Sequence, residues 1–143
     1  MQIDGRCHCG AIRYEAEADP ENVVICHCTD CQTFSGAPYR TSVAVALGKL
    51  HLIGEPKAYR KVGDSGREVA VTFCGDCGTA LYSHGAGRDF VFLRVGSVTQ
   101  RDRLPPKKQG FCQSAQPWAI DIRDAPQIAP PPVRPFDIPA GKP

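Results

Sequence analysis

Cysteine is the residue type whose spacing in this sequence points most directly to chemistry. Cys112 stands alone, and the other cysteines fall into three short groups: the pair Cys7 and Cys9, the triplet Cys26, Cys28 and Cys31, and the pair Cys74 and Cys77. Zinc takes about four ligands at tetrahedral angles and prefers soft thiolate donors. Because sulfurs separated by one or two residues can reach the same ion, the three groups together predict zinc binding.

The number of cysteines in each group indicates how the groups combine. The two pairs would complete a closed four-thiolate site, which is typical of structural zinc. The triplet would then hold a second zinc with its fourth position open, as in reactive sites, where three thiolates favour thiol chemistry over hydrolysis. A rival combination of one pair with two triplet cysteines leaves thiolates unused. For Cys112 two alternatives stay open: it closes the triplet site, or it is a small buried hydrophobic residue.

The start of the sequence bears on the redox environment. Residues 1–6 contain no apolar segment after their charges, so we expect no secretory signal and a cytoplasmic protein. A reducing cytoplasm keeps thiols available for metal. Eight cysteines in 143 residues are also fewer than the roughly 8–10% of secreted disulfide scaffolds. Structural disulfides are therefore the less favoured alternative.

Length, composition and charge exclude several classes of protein. A chain of 143 residues suits one domain, and 42% hydrophobic with 22% charged residues excludes disorder throughout. The net charge of +2 is too small to predict a nucleic-acid partner. No apolar run approaches the roughly 18–20 residues of a membrane span. We expect neither nucleic-acid nor membrane binding, and the sequence does not indicate an oligomeric state.

The local patterns predict a mainly β protein with little helix. The segments with strand-like patterns are 11–18, 23–25, 79–83, 89–95 and a last one near Phe111 and over 118–122. Two hairpins are expected over 40–53 and 58–73, the second turning at 63–66. A short helical turn capped by Thr29 should end at Gly36. Because such short strands enclose a small core, zinc should staple distant segments together.

The composition changes after Asp124. Seven of the last 19 residues are proline, which cannot continue a helix or donate to a sheet. We therefore predict a zinc-binding domain over 1–124 and a proline-rich tail over 125–143 that is extended or disordered. A proline-rich ligand for a protein partner is the alternative interpretation of the tail.

The three cysteine motifs occur in a recognisable order. They are CHCG from Cys7, CHCTDC from Cys26 and FCGDCGT from Phe73. In this order the chain resembles the family of glutathione-dependent formaldehyde-activating enzymes, which includes centromere protein V. The similarity covers about residues 3 to 122 and leaves out the tail. It implies an Mss4-like β-tent fold whose short sheets are stapled by zinc.

The resemblance also implies roles for the cysteines and an activity. It assigns one structural zinc to Cys7, Cys9, Cys74 and Cys77, and a second, labile zinc that binds glutathione to Cys26, Cys28 and Cys31. The implied enzyme is a carbon–sulfur lyase that reversibly joins glutathione, or a similar thiol, to formaldehyde or another small aldehyde. The triplet cysteines are then the expected catalytic residues. A module that binds a thiol or a protein partner without turnover is the alternative function.

Side chains outside the cysteine groups offer further candidates. Glutathione carries two carboxylates, which calls for cations near the triplet; the candidates, each with ordinary surface charge as the alternative, are Arg40, Arg60, Lys61 and Arg94. The histidines between cysteines should point away from the metal, either into solvent or toward a supporting role; these are His8 and His27. Pocket lining and core packing are equally open for Phe34 and Tyr39.

Overall fold

The computed structural model describes residues 1–63 and 66–128, and these form ten short strands and one α-helix. The helix α1 spans Thr29–Ser35. The strands are β1 (Gln2–Arg6), β2 (Arg13–Glu17), β3 (Val23–Cys26), β4 (Arg40–Ala46), β5 (Leu50–Ile53), β6 (Lys57–Val62), β7 (Glu68–Phe73), β8 (Ala80–Gly85), β9 (Phe90–Arg94) and β10 (Lys108–Gly110). The prediction of a mainly β fold with little helix is confirmed.

The strands form two sheets of unequal size. The small sheet has three strands in the order β1-β2-β5. The large sheet has seven strands in the order β10-β3-β4-β9-β8-β7-β6. Strand β10 runs parallel to β3, and the other neighbouring strands are antiparallel. Neighbours in the large sheet are often distant in sequence, so this sheet gathers side chains from many segments.

Alternation along the strands buries one face of each sheet in a common core. On the small sheet Ile3 and Tyr14 are buried, and on the large sheet Val43 and Leu93 are fully buried. The Tyr14 hydroxyl lies 2.8 Å from the Ser97 hydroxyl, which satisfies the polar end of this buried ring. The core therefore joins the two sheets and leaves the other face of the large sheet free for side chains with another role.

That other face carries Cys26. The strand register places Cys26 of β3 opposite Arg40 of β4. The next pairs along, Ser42 with Arg94 and Phe92 with Ser83, lie on the same face. Paired residues in neighbouring strands project to the same side of a sheet. The large sheet thus brings a thiol, two arginines and two serines together on one surface.

Most of the predicted strands form: the segments 11–18, 23–25, 79–83 and 89–95 contain or overlap β2, β3, β8 and β9. The hairpin over 58–73 forms as β6 and β7, with its turn residues 64 and 65 outside the described part of the chain. The hairpin over 40–53 does not form, because β4 joins the large sheet and β5 pairs with β2. Of the last predicted strand, the part near Phe111 corresponds to β10, which ends at Gly110, whereas Pro117–Ala119 form a turn of 3-10 helix in place of a strand over 118–122.

The domain boundary after Asp124 remains a prediction. Residues 125–128 are exposed, and the remainder of the predicted tail, 129–143, lies outside the described residues. Within the described ranges, no helix has the length and apolar character needed to cross a membrane.

Candidate functional site

The four cysteines of the two pairs meet in one cluster, which we call the closed cluster. Cys7 and Cys9 lie in the connection between β1 and β2, and Cys74 and Cys77 lie between β7 and β8. The four sulfurs lie within 4.8 Å of one another. The Sγ atoms of Cys7 and Cys9 are 3.5 Å apart, and those of Cys9 and Cys74 are 3.7 Å apart. The cluster therefore ties together segments from different sheets.

Short hydrogen bonds fix the two turns that carry these thiols. Gly78 has a left-handed φ of 74°, which glycine adopts without strain, and its N–H donates to the Cys74 carbonyl at 3.0 Å. The His8 N–H donates to the Thr79 hydroxyl at 3.0 Å, which joins one turn to the other. Cys7 and Cys74 are buried in the core. The closed cluster is thus anchored by backbone geometry and by packing.

The triplet forms a second cluster from one short segment. Cys26 ends β3, Cys28 precedes α1 and Cys31 lies in the first turn of the helix. The Cys28 sulfur accepts a hydrogen bond from the Cys31 N–H at 3.4 Å, so Cys28, rather than the predicted Thr29, caps the helix. The predicted stop at Gly36 is confirmed by its left-handed φ of 62°.

Sulfur separations test whether zinc fits each cluster. Zinc–sulfur bonds of about 2.3 Å at tetrahedral angles require sulfurs about 3.8 Å apart. The separations in the closed cluster are close to this value, as is the 3.5 Å between Cys26 and Cys28. The sulfurs of Cys28 and Cys31 lie 3.1 Å apart and need only a small rotation. Both donor sets fit zinc, with four thiols in one and three in the other.

Proton sharing within the triplet singles out Cys26. A hydrogen bond from the Cys31 thiol, with a smaller contribution from the positive charge of Arg40, lowers the pKa of Cys26 to about 5. The same hydrogen bond, together with burial, raises the pKa of Cys31 above its usual range. Among the three thiols, the shared hydrogen bonds therefore favour the thiolate form of Cys26.

A cleft of about 310 Å³, which we call the thiol cleft, opens beside the triplet. The three triplet thiols line it together with four cationic side chains: Arg40, Lys61, Arg67 and Arg88. Asp30 is the one carboxylate among the described residues of its wall, and it forms an ion pair with Lys61. The cleft is therefore suited to a ligand that carries both a thiol and negative charge.

Arg94 lies buried behind this cleft. Its Nη1 donates to the Ser42 hydroxyl at 3.1 Å and to the Phe92 carbonyl at 3.0 Å. Burial, together with the nearby charge of Arg40, lowers the pKa of Arg94 to about 9 against the opposing effect of Cys31 and Cys26. Arg94 thus stays charged at neutral pH and contributes positive potential near the triplet.

The candidates from the sequence separate into those near the thiol cleft and those away from it. Arg40, Lys61 and Phe34 line the cleft, whereas Arg94 is buried rather than at a rim. Arg60 pairs with Glu68 at 2.6 Å and lies outside the cleft wall.

The remaining candidates lie away from the wall of the cleft. His27 is buried, so of its two alternatives the solvent-facing one is wrong; its ring lies 3.2 Å from the Gln109 amide oxygen and packs edge-on against Tyr39 at 5.6 Å. The side chain of His8 is exposed. Cys112 is exposed and lies outside the triplet cluster, so neither alternative for it is confirmed.

Several residues of the cleft were not foreseen from the sequence. Arg67 precedes β7, Arg88 lies in the turn before β9, and Phe111 follows β10. No local spacing relates any of them to the triplet, because the order of strands in the large sheet brings them there. Phe111 is distinguished only by the structure, where it is the one residue other than glycine with positive φ among those described.

Comparison with known proteins agrees with this geometry. The chain resembles a crystal structure of a Rhodobacter sphaeroides protein with a TM-score of 0.58 and 20% identity, over 74% of this chain and 98% of that one. That likeness supports the β-tent fold, while no curated protein sequence matches the chain. The family model described as glutathione-dependent formaldehyde-activating enzyme matches residues 2–114, which include both cysteine clusters. The chain therefore belongs to the family of glutathione-dependent formaldehyde-activating enzymes.

Proposed function

We propose that the chain is a zinc-dependent carbon–sulfur lyase that reversibly joins glutathione, or a similar thiol, to formaldehyde or another small aldehyde. In this proposal one zinc is structural and lies in the closed cluster. A second, labile zinc binds Cys26, Cys28 and Cys31, and its open position takes the thiol of the substrate. The proposed setting is the cytoplasm, where glutathione is available and thiols stay reduced.

One observation carries the proposal: the triplet thiols open into a cleft lined by four cations. Glutathione has a thiol for the open metal position and two carboxylates for the cations. Arg40 suits a carboxylate, because it lines the cleft next to Cys26 and its Nε has no hydrogen-bond partner among the described residues. A guanidinium group with an unpaired N–H gains from a charged ligand.

The chemistry needs no external oxidant or reductant. The S–H of the thiol adds across the C=O bond of the aldehyde, so sulfur bonds to carbon and the proton ends on oxygen. Bound zinc would stabilise the thiolate form of the substrate near neutral pH. Arg40 and the buried Arg94 would offset negative charge at the triplet, and the cleft would orient the tripeptide.

A second candidate function is a zinc-stabilised module that binds a thiol or a protein partner without turnover. It is favoured by the shortage of proton-transfer groups, since Asp30 is the one carboxylate in the described cleft wall and is already paired with Lys61. A general acid or base normally has to lie within hydrogen-bond reach of the reacting group.

Exchange kinetics distinguish the two functions. Nuclear magnetic resonance exchange spectroscopy would measure how fast formaldehyde and its glutathione adduct interconvert at equilibrium, with and without zinc-loaded protein. We expect the protein to accelerate exchange and Cys28→Ser to return it to the uncatalysed rate. Cys28→Ser is the suitable variant because serine is a good helix cap and should keep α1 intact. Equal exchange with both proteins, with glutathione binding retained by the wild type, would favour the binding module.

A further inference from the structure

A second cavity shares a wall with the thiol cleft. It has a volume of about 280 Å³, and we call it the apolar cavity. Cys26, Arg40, Arg88 and Phe111 line both spaces. A group bonded to a sulfur held at the triplet therefore lies next to this cavity.

The lining of the two spaces differs in chemistry. Both spaces share Arg40, Arg88 and Phe111, but Lys61 and Arg67 line the thiol cleft alone, whereas Val24 and Phe92 add hydrocarbon to the apolar cavity alone. Val24 and Phe92 also border a third space of about 420 Å³, which continues over the same strands. The surface beside the triplet is thus divided into a charged part and an extended apolar part.

Phe111 supplies a second, independent observation. Its backbone has φ 58°, a left-handed conformation that strains a bulky residue, and its side chain is 50% exposed. Gly110, immediately before it, pairs with Cys26 in the strand register. The strained backbone thus accompanies a partly exposed aromatic ring that lines the cavity next to Cys26, where a ligand can cover it.

Arg88 marks the border between the two parts. Its guanidinium carbon lies 5.2 Å from the centre of the Phe90 ring and 5.9 Å from that of Phe92. This stacking places the cation over the aromatic floor. The His84 ring N–H donates to the Arg88 carbonyl at 2.8 Å, which fixes the turn that carries it. An anionic group of a ligand could pair with Arg88 from the thiol cleft, while a hydrocarbon group could pack in the apolar cavity on its other side.

We propose that the aldehyde handled here carries a hydrocarbon chain or ring, which lies in the apolar cavity while the carboxylates of glutathione meet the cations of the thiol cleft. This inference rests on the proposed function and names its substrate class. The S–H adds across the C=O bond as before, and only the substituent on the aldehyde carbon differs. Formaldehyde has no carbon substituent and leaves the apolar cavity unfilled, whereas an alkyl chain of about four to six carbons fits a volume of this size.

The test uses stable mimics of the adduct. Isothermal titration calorimetry would compare S-methylglutathione with S-hexylglutathione on the full, zinc-loaded chain. A fully buried methylene contributes about fourfold in affinity. If half of the added chain surface is buried, S-hexylglutathione should bind about 30-fold more tightly than S-methylglutathione.

Two matched variants test where the alkyl chain of the conjugate lies. Val24→Phe adds a ring at the border of the two apolar spaces, so it should reduce the 30-fold gain to about threefold or less and leave S-methylglutathione unaffected. Val62→Phe makes the same change at an exposed strand residue that lines neither space, and it should behave as the wild type. Thermal melts of both variants would verify that they are folded.

Each outcome decides the matter. Equal affinity of the wild type for the two conjugates overturns the inference alone, as does an undiminished gain in Val24→Phe. Binding of neither conjugate overturns the inference, whereas the role of free glutathione, which alone offers a thiolate to zinc, is decided by the exchange measurement. A 30-fold gain without accelerated aldehyde exchange supports the apolar cavity and removes the catalytic function.

Discussion

Replacing one thiol of the closed cluster should destabilise the whole fold. Cys77→Ser is the informative change, because Cys77 is partly exposed, so the substitution removes a metal ligand and little packing. The retained hydroxyl can still reach Thr79, whose hydroxyl lies 3.1 Å from the Cys77 sulfur. The expected loss of stability therefore reports the metal link between Cys77 and the distant thiols.

The separation of the thiols along the sequence sets the size of the expected loss in free energy of unfolding. Cys9 and Cys74 are 65 residues apart. Closing a loop of that length in the unfolded chain costs about 4 kcal/mol by the chain-entropy relation used for cross-links. Cys28 and Cys31 are three residues apart, and their link is worth about 2 kcal/mol by the same relation. Cys77→Ser leaves three thiols, whose weakened hold on zinc should cost most of the long-loop value, about 3–4 kcal/mol. Cys28→Ser leaves two thiols and should give up only part of the short-loop value, about 1 kcal/mol.

Thermal unfolding followed by circular dichroism, with zinc counted per chain, measures the difference. About 4 °C per kcal/mol for a domain of this size gives a Tm lower by about 12–16 °C for Cys77→Ser and by about 4 °C for Cys28→Ser. Stripping the metal with a chelator should make the wild type and Cys77→Ser alike. A Cys77→Ser protein that melts with the wild type while keeping its zinc would refute the assignment, as would an equal loss in Cys28→Ser.

Three further changes have definite expected results. Tyr14→Phe removes a buried hydrogen bond to Ser97 and should cost about 1 kcal/mol in urea unfolding. Burial raises the pKa of Tyr14 to about 12 from 10.0, so the folded state holds this proton; the resulting stability is lost as pH rises through that range, and Tyr14→Phe should lose less there. Arg40→Gln should weaken glutathione binding about tenfold in calorimetry, with unchanged zinc content. Truncation after Asp124 should leave Tm within about 2 °C, whereas a larger drop would mean that the tail packs on the domain.

The metal clusters were accessible to sequence analysis because most of their geometry is local. Cys26, Cys28 and Cys31 lie within six residues, so their sulfurs meet whatever the rest of the chain does. The pairs at Cys7 and Cys74 are each local as well, and counting thiols was sufficient to match one pair with the other. Their meeting in space is what the structure adds.

The wrong hairpin shows what local patterns miss. Gly48 and Lys49 between two strand-like segments are typical of a tight turn, yet Leu47–Lys49 forms a turn of 3-10 helix that leads into the other sheet. Strand β5 pairs with β2, where Leu52 lies opposite the buried Tyr14. Burial of apolar surface against a distant strand therefore outweighed the nearest available pairing.

The strand predicted over residues 118–122 is wrong for the opposite reason: this segment does not find a partner strand among the described residues. Trp118 and Ile120 have strand-like character but are 63% and 78% exposed, and Pro117 begins a turn of 3-10 helix. A β-prone segment needs a neighbouring strand with free hydrogen-bonding groups and an apolar face to cover. Strand β10 already occupies the position beside β3, and in the described part of the chain segment 118–122 pairs with no strand.

The set of residues that lines the cleft could not be predicted from the sequence, for a physical reason. Arg40, Arg67 and Arg88 come from separate strands and turns, and they share a cleft only because β3, β4, β9, β8 and β7 are neighbours in one sheet. A metal site of cysteines needs one residue type at short spacing, whereas recognition of a ligand with distinct charged and apolar parts needs several types from many segments. Metal ligands can therefore remain recognisable in a sequence even where the surrounding walls, and with them the substrate, have changed. For this reason Val24 and Phe111, rather than the cysteines, are the residues whose substitution should redirect the choice of aldehyde.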